Sequence, residues 1–212
     1  AKIVSIDADS VAAARRVPGV HAVLTADDIP THLVGRMLRD MPILARDVVR
    51  FAGQKVVVVA AEDDDIAEEA LNLIEIEYEE LEPILDPSDA IKPGAPVLHP
   101  NFADYVGIPD GPQAYPNAAG HGVWTHGDVE KGFAEADLIF EHTFKTNHQH
   151  QAYIEPHASV VFLDNSGRVQ TWVNSKMPFQ VRQQLSEGID MPTDQIRVNP
   201  TTIGGDFGGK GG

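Results

Sequence analysis

Strand-like and helix-like spacings of apolar residues succeed one another along residues 1–82. Residues 3–6 alternate with period two, as a half-buried strand does. Asp9 and Ser10 offer an N-cap to a helix over 11–16, and Arg15 and Arg16 suit the negative end of its dipole. Pro18 and Gly19 stop that helix. Residues 20–24 form the next predicted strand and residues 48–51 another. Residues 54–61 are apolar on both faces, so this strand is expected at the centre of its sheet. A helix is predicted over 66–73, with Ile66, Ala70 and Leu73 on one face. Residues 74–81 alternate throughout, so the acidic run over 75–82 reads as the solvated side of a half-buried strand.

Residues 83–125 show neither rhythm and are rich in proline, Pro109 and Pro112 among them. They read as a linker with a short helical turn near Ser88. Periodicity resumes at His126. Asp128 caps a predicted helix through Ala136, and residues 138–145 read as a strand. Residues 158–163 and 168–173 flank Asp164-Asn165-Ser166-Gly167, a hairpin signature. A helix over 178–188 has Pro178 in its first turn and Gly188 at its end. A strand over 195–199 leads into a glycine-rich end. The pattern as a whole predicts an α+β protein of two units, 1–82 and 126–212, joined by the linker 83–125.

The bulk numbers narrow the function. The formal net charge of −16 disfavours nucleic acid as a partner. No apolar run approaches the length of a membrane-spanning helix. There is no cysteine, which excludes disulfides and Cys-held zinc or iron–sulfur clusters in these 212 residues. The chain starts without methionine and ends on Gly211-Gly212, and both ends are expected to be cuts in a longer protein.

The glycine-rich end is the main candidate for chemistry. Glycines let backbone N–H groups approach a polar ligand closely. Residues 204–210 satisfy the first seven positions of a phosphate-binding P-loop, but Gly211 stands where a magnesium-binding Ser or Thr belongs, and Phe207 is large for a phosphate cradle. His142, His148, His150 and His157 form a histidine-rich stretch without fixed spacing to a third ligand, so they read as exposed or pocket-lining residues. Trp124 and Trp172 read as packing residues.

Three passages in order carry a resemblance. Gly204-Gly205-Asp206-Phe207-Gly208-Gly209-Lys210 resembles the G-G-x-F-G-G-K signature of molybdopterin-binding large subunits in the xanthine dehydrogenase/aldehyde oxidase family. Gln149-His150-Gln151-Ala152-Tyr153-Ile154-Glu155-Pro156 resembles that family's Q-x-x-x-Y-x-E-P segment. Residues 48–62 with 76–81 resemble its N-terminal hammerhead domain.

The resemblance implies a hammerhead-type α/β domain over 1–82 and the first part of a mixed α+β molybdopterin-binding domain over 126–212. It implies a molybdenum hydroxylase that oxidises an aldehyde or aromatic N-heterocycle with water as the oxygen source. Gln149 would sit beside the molybdenum oxo group, and Gly205, Phe207 and Gly208 would lie against the cofactor. No direct metal ligand is expected in the chain. Iron–sulfur clusters and FAD would reside on partner subunits or domains of a homo- or hetero-oligomer, in the cytoplasm or alternatively the periplasm. Xanthine-oxidising members carry a glutamate after the motif lysine; Gly211 here argues against a purine substrate. The family's general base is a glutamate near the end of a much longer chain, so these residues alone are expected to be inactive. The competing readings are a non-catalytic α+β module for subunit contact and a P-loop nucleotide-binding protein.

Overall fold

The computed structural model describes residues 1–108 and 115–211. Pro109 and Pro112 of the expected linker therefore lie outside the described residues. In the first unit, β1 (Lys2–Ile6) leads into α1 (Ala8–Arg15) and β2 (Val20–Leu24). The N-cap of α1 is Asp7, not Asp9 or Ser10: its carboxylate accepts the Ser10 amide at 2.7 Å. Ser10 lies inside the helix, where its hydroxyl receives the Glu75 amide at 3.0 Å. Two short strands follow, β3 (Leu33–Val34) and β4 (Met41–Pro42), then β5 (Val58–Ala61), α2 (Asp64–Asn72) and β6 (Ile76–Glu79).

Strands pair as antiparallel couples: β1 with β6, β2 with β5, β3 with β4. The core is Val11, Ala14, Val23 and Ala70, with Val57 and Val59 packed against it. Ala14 and Ala70 are fully buried, and small side chains there let α1 and α2 meet. Burying a valine such as Val23 contributes about 2 kcal/mol.

The strand expected at the centre of its sheet is not central. β5 is four residues long and pairs with β2 alone, and Val58 is 42% exposed. Its alternation survives: Val57 and Val59 face the core while Val58 faces solvent. The predicted strand at 48–51 reduces to a single bridge between Lys2 and Val48. Tyr78 in β6 is also exposed, because a two-stranded ribbon has little to cover it.

The linker region holds α3 (Pro87–Ala90), and Asn117 ties it into a loop through Nδ2 bonds to the carbonyls of Ala90 and Pro96. Beyond it come α4 (Val129–Glu135), β7 (Ser159–Leu163), β8 (Val169–Val173), α5 (Pro178–Gly188) and β9 (Ile196–Pro200). Asp128 caps α4 as predicted, accepting the Lys131 amide at 2.9 Å. β7 and β8 form the expected hairpin, its turn closed by Asp164, which accepts amides of Ser166 and Arg168. β8 and β9 run parallel, a pairing that needs the crossover α5 supplies.

Residues 138–145 form no strand. Leu138, Ile139, Phe140 and Phe144 are 61–88% exposed, and no neighbouring strand among the described residues takes up their backbone hydrogen bonds. Trp124 is 92% exposed rather than packed, whereas Trp172 stacks on Phe162. The two units touch where β3 and the following loop meet α5. A methyl group on Gly188 would stand 3.1 Å from Ile43 and 3.3 Å from Val34.

Candidate functional site

Parallel pairing brings two chain segments to one edge of the sheet. β8 ends at Val173 opposite Pro200 of β9, so Asn174, Ser175 and Lys176 emerge beside the start of the glycine loop. Asn174 is buried and fixes a third segment: its Nδ2 donates to the Pro156 carbonyl at 2.8 Å, and its Oδ1 accepts the Ala158 amide. Residues 153–158, 174–176 and 204–211 thus converge.

Two carboxylates organise the loop. Asp206 accepts the Gly208 amide at 3.0 Å and the Lys210 amide at 2.7 Å, and its carbonyl accepts the Gly209 amide at 2.7 Å. Lys176 Nζ donates to the same carboxylate at 2.5 Å. That ammonium and then the Gly208 amide hold the Asp206 carboxyl down at about 2. Glu155 accepts the Gly204 amide at 2.7 Å and pairs with Lys210, whose side chain is fully buried. The Lys210 ammonium first, and the Gly204 amide second, hold the Glu155 carboxyl below its ordinary value. A buried lysine is tolerable only because Glu155 pairs with it and the Tyr153 ring, 5.1 Å from Nζ, lies under it.

The glycine at 209 is required by this packing: a Cβ there would stand 2.3 Å from Tyr153 Cε1. Phe207 has φ of +45, a left-handed conformation that costs a non-glycine residue about 1–2 kcal/mol. Ala152, on the facing segment, is also left-handed at φ +56. Such strain concentrates at ligand sites.

Sequence reasoning named Gln149, Gly205, Phe207 and Gly208. The structure brings Gly205 against Tyr153, with Phe207 and Gly208 in the same loop. Gln149 lies four residues before Tyr153, exposed, and makes no hydrogen bond among the described residues. Two of the histidines have local partners: His150 Nδ1 accepts the Ala152 amide, and His157 Nε2 bonds the Tyr153 hydroxyl at 2.9 Å. Sequence reasoning missed the organising roles of Asp206, Glu155 and Lys210, although all three stand inside the quoted motifs. Lys176 and Asn174 had no local signal at all.

The surface this leaves is one for recognition, not proton transfer. The amides of Gly205 and Phe207 have no partner among the described residues, Phe207 is 74% exposed, and a Cβ on Gly208 would meet open space. A polar, oxygen-rich cofactor fits such a surface, because unpaired donors want acceptors. Both carboxylates of the loop are already committed to lysines.

Comparison with known proteins identifies the family. Residues 1–82 match the model described as the aldehyde oxidase and xanthine dehydrogenase a/b hammerhead domain, and residues 112–212 match the molybdopterin cofactor-binding domain. The chain is 34% identical over 213 residues to the nicotinate dehydrogenase large molybdopterin subunit of Eubacterium barkeri, covering 99% of this chain and 46% of that protein. It is 34% identical over 212 residues to the carbon monoxide dehydrogenase large chain of Hydrogenophaga pseudoflava, covering 94% of this chain and 26% of that protein. The reconstituted CO dehydrogenase from Oligotropha carboxidovorans has the same fold over 99% of this chain and 26% of its own, with TM-score 0.83 and 31% identity. The chain spans from about one-seventh to about half of the length of the curated relatives it matches. It belongs to the molybdopterin-binding large subunits of the xanthine dehydrogenase/aldehyde oxidase family.

Proposed function

We propose that residues 204–210, with Gln149, bound part of the molybdenum–molybdopterin site of a hydroxylase acting on an aldehyde or aromatic N-heterocycle. The observation that carries this reading is the seating of the glycine loop on Tyr153 and Glu155. It supports a common surface for the Phe207 amide and residues 153–155, which begin four residues after Gln149. When bound, the molybdenum cofactor supplies the two-electron redox chemistry that hydroxylation with water requires. The chain's own part is to hold and orient. The amides of Gly205 and Phe207 would donate to the cofactor, Gly208 would keep the approach open, and the Gln149 amide would donate to it without adding charge. The exposed Phe207 ring offers an apolar wall to a substrate.

The same contacts speak against a P-loop. Lys210 is buried in an ion pair and Asp206 occupies the amides that would cradle a phosphate. Gly211 in place of an acidic residue favours substrates other than purines. The domain division of 1–82, 83–125 and 126–212 belongs to this proposal. So do iron–sulfur and FAD-bearing partners and a cytoplasmic location; the relatives' names, "large chain" and "subunit", are those of components of assemblies.

The test is metal and pterin analysis of the complete enzyme. Molybdenum and pterin should copurify with it. A complete enzyme that copurifies with protein partners and no molybdenum would leave the interaction-module reading standing instead. Oxidation of an aldehyde or heterocycle by the 212 residues alone, with cofactor supplied, would also contradict the proposal, which puts the base elsewhere.

A further inference from the structure

We propose that Lys176 and Lys210 are positioning residues: through Asp206 and Glu155 they latch the glycine loop in the strained form that leaves the Gly205 and Phe207 amides open to the cofactor. The inference rests on the function proposed above, and it concerns residues that touch no reacting atom.

Consider what the loop would do without the latch. A run of four glycines around one aspartate and one phenylalanine has many accessible conformations, and Phe207 in the left-handed region is not the preferred one. Asp206 gathers the amides of Gly208 and Lys210 onto one carboxylate and thereby forces the tight turn. That turn consumes Gly208, Gly209 and Lys210 as donors and leaves Phe207 unpaired among the described residues. Glu155 does the same at the loop's entry, consuming Gly204 and leaving Gly205.

Each carboxylate is secured by a lysine from a different direction. Lys176 comes from the end of β8 on the solvent side, with its side chain 45% exposed. Lys210 comes from the loop's own exit and reaches back, fully buried, to Glu155 at its entry. The inner pair closes the loop on itself, and its Lys210 carbonyl receives the Lys176 amide at 3.2 Å. Outer and inner pairs are thus joined by the backbone as well as by charge. Donor selection of this kind is preorganisation: open amides are aimed before the cofactor arrives.

Amide hydrogen exchange on the complete enzyme in its cofactor-free form reads the latch. In the wild type, Gly204, Gly208 and Lys210 should exchange more slowly than Gly205 and Phe207. K176M should speed exchange at Gly208 and Lys210 by about tenfold while leaving the amides of β8 unchanged, and K176R should restore protection. K210M should speed Gly204. Because a vacated buried site could unfold that variant, the exposed Lys176 pair of variants carries the decision. In the complete enzyme, K176M should shift the molybdenum EPR signal and K176R should return it. Unchanged exchange at Gly208 and Lys210 in K176M overturns the latch. Faster exchange with an unaltered EPR signal overturns its positioning role but leaves the cofactor reading intact. A wild-type enzyme without molybdenum overturns that reading, while the exchange data still decide the latch.

Discussion

Arg39 and Glu187, 148 residues apart in the chain, form a two-pronged ion pair in which Nε and Nη2 each donate at 2.8 Å to one carboxylate oxygen. Arg39 sits between β3 and β4 and Glu187 in the last turn of α5, so the pair clamps the first unit to the second. Both side chains are about one-quarter exposed, which shields the contact from solvent more than a surface pair.

Replacing Arg39 with Met should therefore cost about 1–2 kcal/mol at neutral pH. Arg39, and after it Gln183, lower the Glu187 carboxyl from 4.5 to about 2. A depressed carboxyl stabilises the fold above its unfolded value and loses that contribution as pH falls. The gap between wild type and R39M in urea unfolding should be full at pH 7, narrow below about pH 4.5, and be largely gone near pH 2. A gap that does not change with pH would show that the pair is not the source of the stability.

Two neighbouring glycines should behave differently for physical reasons visible in the loop. Gly208 is left-handed at φ +93 but has open space beside it, so G208A should cost only about 1 kcal/mol of backbone strain. Gly209 is not left-handed, yet its Cβ would collide with Tyr153, so G209A should cost about 1–3 kcal/mol through displacement of that ring. Restoring space with Y153A should lessen the effect of G209A and leave that of G208A unchanged. Thermal or urea unfolding of the three single variants and the two double variants with Y153A checks this, and equal costs for the two glycine substitutions would contradict it.

Gln149 is exposed and has no hydrogen-bond partner among the described residues, so Q149A should change the stability of the chain by less than about 0.5 kcal/mol. In the complete enzyme the same substitution should lower kcat more than it raises KM, because the amide is assigned to the cofactor and not to substrate binding. Normal turnover in Q149A would remove Gln149 from the site.

The hairpin turn gives a control far from the loop. Asp164 is held low mainly by Ser166 and then Gln170, and its carboxylate closes the turn between β7 and β8. D164A should lower the urea midpoint and speed amide exchange in β7 and β8, without altering molybdenum content of the complete enzyme. Loss of molybdenum in D164A would mean that the sheet, and not the loop, governs cofactor retention.

Much of this protein was written locally. Pro178 and Gly188 bound α5 at the residues predicted, because proline suits a helix's first turn and glycine its end. Asp164 and Gly167 specify the β7–β8 turn, and Asp128 the start of α4, through bonds that span four residues or fewer. The glycine loop and the segment ending in Glu155 were legible as motifs, since close backbone approach restricts residue type at each position. What the chain could not show locally was pairing. Whether β5 has one neighbour or two, and whether residues 138–145 have any, depends on segments distant in sequence, and period-two alternation is the same in either case. The partners of Lys210, Lys176 and Arg39 lie 55, 30 and 148 residues away. The parallel docking of β9 on β8 brings Lys176 and Lys210 to their carboxylates, and the packing of β3 against α5 brings Arg39 to Glu187, because an ion pair is chosen by distance in space and leaves no periodic trace along the chain.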